Sequence, residues 1–359
     1  MKTKILQIGS YPPPNNGWSV RIKHLKEALN NDGHDCQVLN IGKGRKVKSN
    51  EYIEVRNSLD YVCKLIRYRL KGYHFHVHTN GQAVKGPILV LTALLIAFVT
   101  FKPAALTFHG GAKQLYFPRE DGGKMYWILY LNFLLPSTII CNDECIKNEI
   151  VRYGPAIGSK KVHPIPAFSV QYLKYEASEL PQDIVEYMKN KKQCIVCYLA
   201  IRHGFFVETA VEFFKRLAPG TGVILTGVGE VEDEELVEAA RELDKLQADG
   251  AIYIVDNLVH DQFMTLLSKS DLYLRSHYGD GVSSSVLEAL YLGTPVVACE
   301  NGRRPKGVTT YEGDDANDLE KKIDFLLNGL YDFRGTVASP LVEDTLLLET
   351  KVLLKTFSD

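Results

Sequence analysis

Asp280 and Glu288 stand eight residues apart in the run His277-Tyr-Gly-Asp280-Gly-Val-Ser-Ser-Ser-Val-Leu-Glu288-Ala-Leu, with a Gly/Ser-rich stretch between them. A strand-like segment, Asp271 to Arg275, comes before this run, and apolar residues at helical spacing follow from Ser284 to Leu292, so the stretch opens a helix. Amides at Gly281, Val282, Ser283 and Ser284 can bond phosphate oxygens, and the positive end of the helix dipole attracts a diphosphate without a metal. Glu288 lies about 6 to 8 Å along the helix axis at 1.5 Å per residue. That matches the offset between a diphosphate and its ribose, where a carboxylate can accept both ribose hydroxyls. Asp280 is placed to meet the group on the other side of the diphosphate, which in a nucleotide sugar is the sugar. The plainer alternative makes Asp280 a helix cap and Glu288 an acid favoured by the dipole.

Other residues with chemical potential are more ambiguous. His109 follows the strand-like Ala104 to Phe108 and precedes Gly110-Gly111, and strand ends of this kind hold ligands. His74, His76 and His78 alternate along one strand face as metal ligands could, but no acid or thiol lies beside them, which favours a structural or sugar-contacting strand. Cys194-x-x-Cys197 sits within an apolar run and reads as a buried strand; the seven cysteines are scattered thiols with no disulfide framework. Asp314-Asp315 and Glu232 to Glu235 do not follow strands as a metal-diphosphate motif requires, so no metal is expected.

These groups need a scaffold, and the chain supplies alternating strands and helices. Ile5 to Gly9, a Pro/Asn loop, the amphipathic Ser19 to Asn30 and the strand Cys36 to Asn40 form a parallel βαβ unit. The same alternation restarts at Cys194 and continues to Ala298. Between them Val162-His-Pro-Ile-Pro-Ala167 resembles an interdomain crossover. Two doubly wound domains are expected, 1–167 and 168–359, with the apolar-periodic Val342 to Phe357 forming a terminal helix that packs back on the first domain.

The formal net charge of -1 conceals an uneven distribution. Residues 1–167 hold 23 Lys/Arg against 11 Asp/Glu, so the first half is basic and the second acidic. The strongest apolar run, Ile88 to Phe101, is shorter than the roughly 20 residues that span a membrane and reads as a buried or partly membrane-facing helix. No recognised nucleic-acid motif is present. The basic face therefore suits an anionic membrane surface, with Lys43, Arg45, Lys46, Lys48, Lys64, Arg67, Arg69 and Lys71 contributing. No secretory leader opens the sequence, so the expected location is the cytoplasm, peripheral on the inner face of the plasma membrane.

The segment Asp280 to Ala298 resembles the acid-x7-Glu motif and following Ala-x-x-x-Gly-x-Pro-Val-Val-Ala of retaining glycosyltransferase family four, which has the GT-B fold. Leu225-Thr-Gly-Val-Gly229-Glu is similar to that family's glycine turn, and Asp256 to Tyr273 to its base-framing segment. The resemblance implies two Rossmann-like domains facing each other across a cleft, the first for the acceptor and the second for the donor. It places Gly17 beside the donor phosphates and His109 at the reacting centre. It further implies retaining transfer of a hexosyl or related group from a nucleotide-diphosphate sugar, with uridine favoured and guanosine the other option, and no separate cofactor. The acceptor would be a glycan or lipid-linked chain in polysaccharide or lipopolysaccharide synthesis.

Two positions depart from the family pattern. Asp280 stands where Glu is usual, and Ala200-Ile-Arg202-His203-Gly204 replaces the usual Arg and Lys-Gly clasp on the diphosphate. Arg202 still offers a bidentate phosphate contact, whereas His203 adds charge only when protonated. Three rivals follow: a nucleotide-sugar epimerase of similar shape, a sugar-nucleotide-binding partner without catalysis, and a glycoside hydrolase. The last has no need of a phosphate cradle at a helix end.

Overall fold

The structure is a computed structural model that describes residues 2–13, 17–111, 114–121, 123–158, 161–231, 233–255, 258–279, 283–328 and 343–358. The chain forms two compact units, Met1–Gln171 with Val342–Asp359, and Tyr172–Leu341.

The first unit is built on a six-stranded parallel sheet of β1 (Lys4–Gly9), β2 (Asp35–Asn40), β3 (His74–Thr79), β4 (Ala104–Phe108), β5 (Thr138–Cys141) and β6 (Lys161–Pro164). Its order is β2-β1-β3-β4-β5-β6. The chain moves from β1 outward to β2, then crosses to the other side of β1 for β3, so the order reverses between β1 and β3. Ligands bind in crevices at the carboxyl ends of strands at such a switch point. Val162 to Pro164 therefore belongs to an edge strand as well as to the exit from the first unit. Pro164 is tolerated there because it closes an edge strand, where few ladder bonds are required.

The second unit repeats the plan with β7 (Gln193–Tyr198), β8 (Thr221–Thr226), β9 (Ile252–Val255), β10 (Leu272–Arg275), β11 (Val296–Cys299) and β12 (Val308–Tyr311), ordered β12-β11-β10-β7-β8-β9. Here the reversal lies between β7 and β10. The strands are near-continuous apolar runs because helices cover both faces of a parallel sheet. Cys194 and Cys197 are buried within β7, and burial pushes their thiols up to about 11 and about 12, as expected of core residues.

The terminal helix Thr345–Ser358 belongs to the first unit, where it packs on helix Gly17–Asn31 and on β4 and β5. Leu346, Leu353 and Phe357 are buried on one helical face, each contributing about 1.5–3 kcal/mol by burial. Helix Lys85–Val99 buries Val90, Ala93, Leu94 and Ala97 and turns Ile88, Leu95, Phe98 and Val99 outward. Among the described residues, no helix is long and apolar enough to cross a membrane.

Candidate functional site

In the second unit the reversal of strand order brings two loops together. Tyr198 and Arg275, the last residues of β7 and β10, are register partners, and the Arg275 guanidinium lies 4.6 Å over the Tyr198 ring. Beyond them, the Tyr278 amide donates to the Gly204 carbonyl at 3.1 Å, and His277 stacks on Phe205 with centroids 4.2 Å apart. Gly204 has φ +91°, a left-handed conformation that favours glycine. Arg304 reaches from beyond β11 to the carbonyls of His277 and Cys299. The Arg202-His203-Gly204 turn thus lies against His277-Tyr278-Gly279, with the Arg202 guanidinium over Phe205 and the His203 amide bonded to Asp233. Asp280, Gly281 and Val282, which follow directly, lie outside the described residues.

Ser283 precedes helix Ser284–Tyr291 in an extended conformation, and its side chain does not cap the helix. Its hydroxyl meets that of Ser285 at 3.0 Å, and Ser285 also accepts from the Tyr273 hydroxyl at 2.6 Å. No acid occupies the first turn, so no carboxylate of this helix neutralises the positive dipole end. Glu288 sits deeper, only 4% exposed, with Oε1 3.3 Å from His260 Nε2. That burial and pairing separate it from a first-turn acid drawn by the dipole alone. His260 opens the helix after β9 and is not singled out by sequence pattern; its available signal was a histidine beside an acid at a helix start.

Burial by itself would lower the His260 pKa, but the hydrogen bond and charge of Glu288, with Asp261 behind, raise it on balance. The resulting stabilisation is complete below the unfolded pKa of about 6.5 and is lost as pH rises through the raised folded value. His260→Asn should therefore flatten the fall in melting temperature as pH rises above that point. Parallel wild-type and variant curves would remove the ion pair from the account.

In the first unit, His109 continues β4, its amide donating to the Thr79 carbonyl at 2.7 Å. Its ring is stacked between Trp18 at 5.0 Å and His78 at 5.2 Å. His109 Nε2 is 3.0 Å from His78 Nδ1, and His78 Nε2 is 3.2 Å from Gln7 Oε1. His76 turns instead to the Thr107 hydroxyl at 2.8 Å, and His74 stacks on Phe357 of the terminal helix. Burial, then the positive charge of Arg21 and neighbouring histidines, holds His78 and His109 well below the usual histidine range and brings His76 down to about 3. Rings so held favour the neutral form and offer hydrogen bonds rather than charge. Among the described residues no set of three His, Cys, Asp or Glu side chains gathers as metal ligands.

Beneath this row lies a buried ion pair, Arg21 Nε to Glu349 Oε2 at 2.8 Å. Arg21 also donates to Asn142 and to the Ile165 carbonyl, and Glu349 accepts from Thr107. Glu349 shares the apolar face of its helix with Leu346, Leu353 and Phe357, and an acid in such a stripe is the sequence signal for a buried partner. Gly17, by contrast, is exposed at the start of its helix, and a Cβ there would meet nothing within 4 Å.

Residues 179–329 match the family described as Glycosyl transferases group 1. A curated relative, an uncharacterized glycosyltransferase of Methanocaldococcus jannaschii, is 26% identical over 207 residues. That stretch covers 56% of this chain and 47% of the relative, so the match spans about half the length of the relative. Among solved structures, sucrose-phosphate synthase from Thermosynechococcus elongatus superposes with a TM-score of 0.71 at 15% identity, covering 99% of both chains. HepE from Anabaena, in complex with UDP, gives 0.68 at 15% identity over 99% of this chain and 100% of that one. The UDP-GlcNAc 2-epimerase of M. jannaschii, in complex with UDP-GlcNAc and UDP, gives 0.63 at 14% identity over 98% and 100%. Residues 179–329 thus follow the pattern of the group 1 glycosyltransferases, and both units share the GT-B fold of these solved structures.

Proposed function

We propose that the chain transfers a sugar, with retention at the anomeric carbon and without a metal, from a nucleotide-diphosphate sugar to a glycan or lipid-linked acceptor. The observation that carries this reading is the convergence, at the β7/β10 switch point, of the Arg202 turn, the segment leading into Asp280, an acid-free helix start and the buried Glu288. Arg202, His203, Gly17 and the amides of Gly281, Val282, Ser283 and Ser284 are assigned to the diphosphate. Glu288, with one oxygen held by His260, is assigned to the ribose, Asp280 to the sugar, and His109 to a hydroxyl at the reacting centre. The donor's C1–O bond to the diphosphate breaks while the acceptor oxygen bonds C1 from the same face, and the acceptor proton leaves with the diphosphate. Stabilising the departing negative charge is the largest contribution asked of the protein.

A thermal-shift screen of nucleoside diphosphates tests the donor. Ligand at 100 times its Kd stabilises by about 2.7 kcal/mol, and a uridine diphosphate is expected to lead. Product analysis with and without acceptor then separates transfer from epimerisation of the donor. Donor binding with neither reaction would identify a binding partner.

We further propose that the first unit docks on the inner face of an anionic membrane during polysaccharide or lipopolysaccharide synthesis. Helix Ser58–Leu70 exposes Leu59, Ile66 and Leu70, helix Lys85–Val99 exposes Phe98 and Val99, and Phe101 is 94% exposed beside Lys102. Arg69 leaves the expected basic set, because it is 5% exposed and clips Thr100 and the Tyr73 carbonyl. Neutralising Lys43, Arg45, Lys46, Lys48, Lys64, Arg67 and Lys71 should abolish cosedimentation with phosphatidylserine vesicles, at about 1 kcal/mol per charge near the surface. Unchanged partitioning would sink the idea.

A further inference from the structure

β1, β3 and β4 are neighbours in the first sheet, and their registers, Gln7 with His76 and His78 with Thr107, place these side chains and His109 on one face. Hydrogen-bond chemistry then determines which nitrogen carries each proton. Gln7 Nε2 donates to the Ile22 carbonyl at 3.2 Å and lies 3.3 Å from the Cys36 sulfur, so Oε1 is the amide atom turned to His78. An amide oxygen only accepts, so His78 Nε2 bears its hydrogen. A neutral imidazole carries one N–H, so His78 Nδ1 is a bare lone pair. The hydrogen of the 3.0 Å bond between the rings must therefore come from His109 Nε2. His76 does not disturb this chain, because the Thr107 hydroxyl donates to Glu349 and receives the His76 hydrogen.

We infer that His78 and Gln7 are positioning residues that lock His109 in its Nε2–H tautomer, leaving Nδ1 to meet the substrate as a hydrogen-bond acceptor. A ring so fixed selects a donor, which at the sugar is a hydroxyl or an amide N–H and never an ionised phosphate oxygen. Burial, the neighbouring histidines and the charge of Arg21 all disfavour the charged form of both rings, as the assignment requires. Trp18 fixes the plane in which Nδ1 points. The role at a sugar hydroxyl rests on the transferase reading above; the tautomer does not.

The test separates the two. Histidine-selective 15N labelling of the full chain, with His109→Ala used for assignment, reports the protonation of the His109 ring nitrogens in the absence of ligand. The expected spectrum at neutral pH has His109 Nε2 protonated and Nδ1 bare. A protonated His109 Nδ1 overturns the proposal whatever the activity, and this spectrum needs no folded His78 variant. His78→Phe should mix the tautomers and lower kcat about tenfold, the worth of one hydrogen bond, with little change in KM for the donor. His78→Asn, whose amide oxygen can accept the same bond, should restore both. A locked tautomer together with normal transfer by His109→Ala would leave the lock standing and refute the catalytic role.

Discussion

Glu349→Leu is expected to destabilise the first unit by about 3–5 kcal/mol, the usual cost of stranding one partner of a buried ion pair. Arg21 is 2% exposed, and after the substitution its charge would retain, among the described residues, only the Asn142 oxygen and the Ile165 carbonyl as acceptors. The change also removes the acceptor of the Thr107 hydroxyl and loosens the terminal helix, which then keeps its apolar face and the hydrogen bonds of Thr345 to Phe168, Leu346 to Ser169 and Thr356 to Thr138. Both tryptophans of the chain, Trp18 and Trp127, lie in the first unit, so their fluorescence during urea unfolding follows that unit alone. The double variant Arg21→Met, Glu349→Leu should recover most of the loss, since two apolar side chains of similar volume leave no orphaned charge. A single-variant cost below about 1 kcal/mol would show that Arg21 is solvated once its partner is gone.

The second large effect is a contrast between two alanine variants. Glu288→Ala should raise the donor Kd and KM about 10- to 100-fold with kcat nearly unchanged, because hydrogen bonds to a charged group contribute about 1.5–3 kcal/mol and a ribose in the proposed site is held alike in ground and transition states. His109→Ala should lower kcat about 100-fold with a smaller change in KM, because the bond proposed for it is made at the reacting centre. Titration calorimetry with the nucleoside diphosphate isolates the first effect from chemistry. Near-normal kinetics in both variants would overturn the assignment of the site, and a fall in kcat for Glu288→Ala with unchanged affinity would move that carboxylate from the ribose to the reacting sugar.

Much of the scaffold was legible along the chain. The alternation of apolar strand and amphipathic helix is a local property of spacing, and it implied two doubly wound units before any contact was known. The helix start at Ser284 was equally local, since a strand, a Gly/Ser stretch and an apolar period announce it. Arg69 misled for the same reason: a helical arginine among basic neighbours reads as surface, and only the packing of its helix on helix Lys85–Val99 shows that its guanidinium is buried and donates to Thr100 and Tyr73. Val162 to Pro164 gave proline signals for an exit and no signal for the strand it also forms, because the pairing that makes it a strand is with β5, beyond the helices Glu144–Val151 and Pro155–Gly158.

By itself, then, the sequence determined the elements, the family pattern of residues 179–329 and the chemistry available at Asp280, Glu288, Arg202 and His109. Only the tertiary structure decided which of these have partners: Glu288 with His260, His109 with Trp18 and His78, and Arg21 with an acid 328 positions further along the chain. The physical reason is that periodicity is written between near neighbours, whereas protonation states and buried charges are set by whichever distant side chains the order of strands brings to the same face.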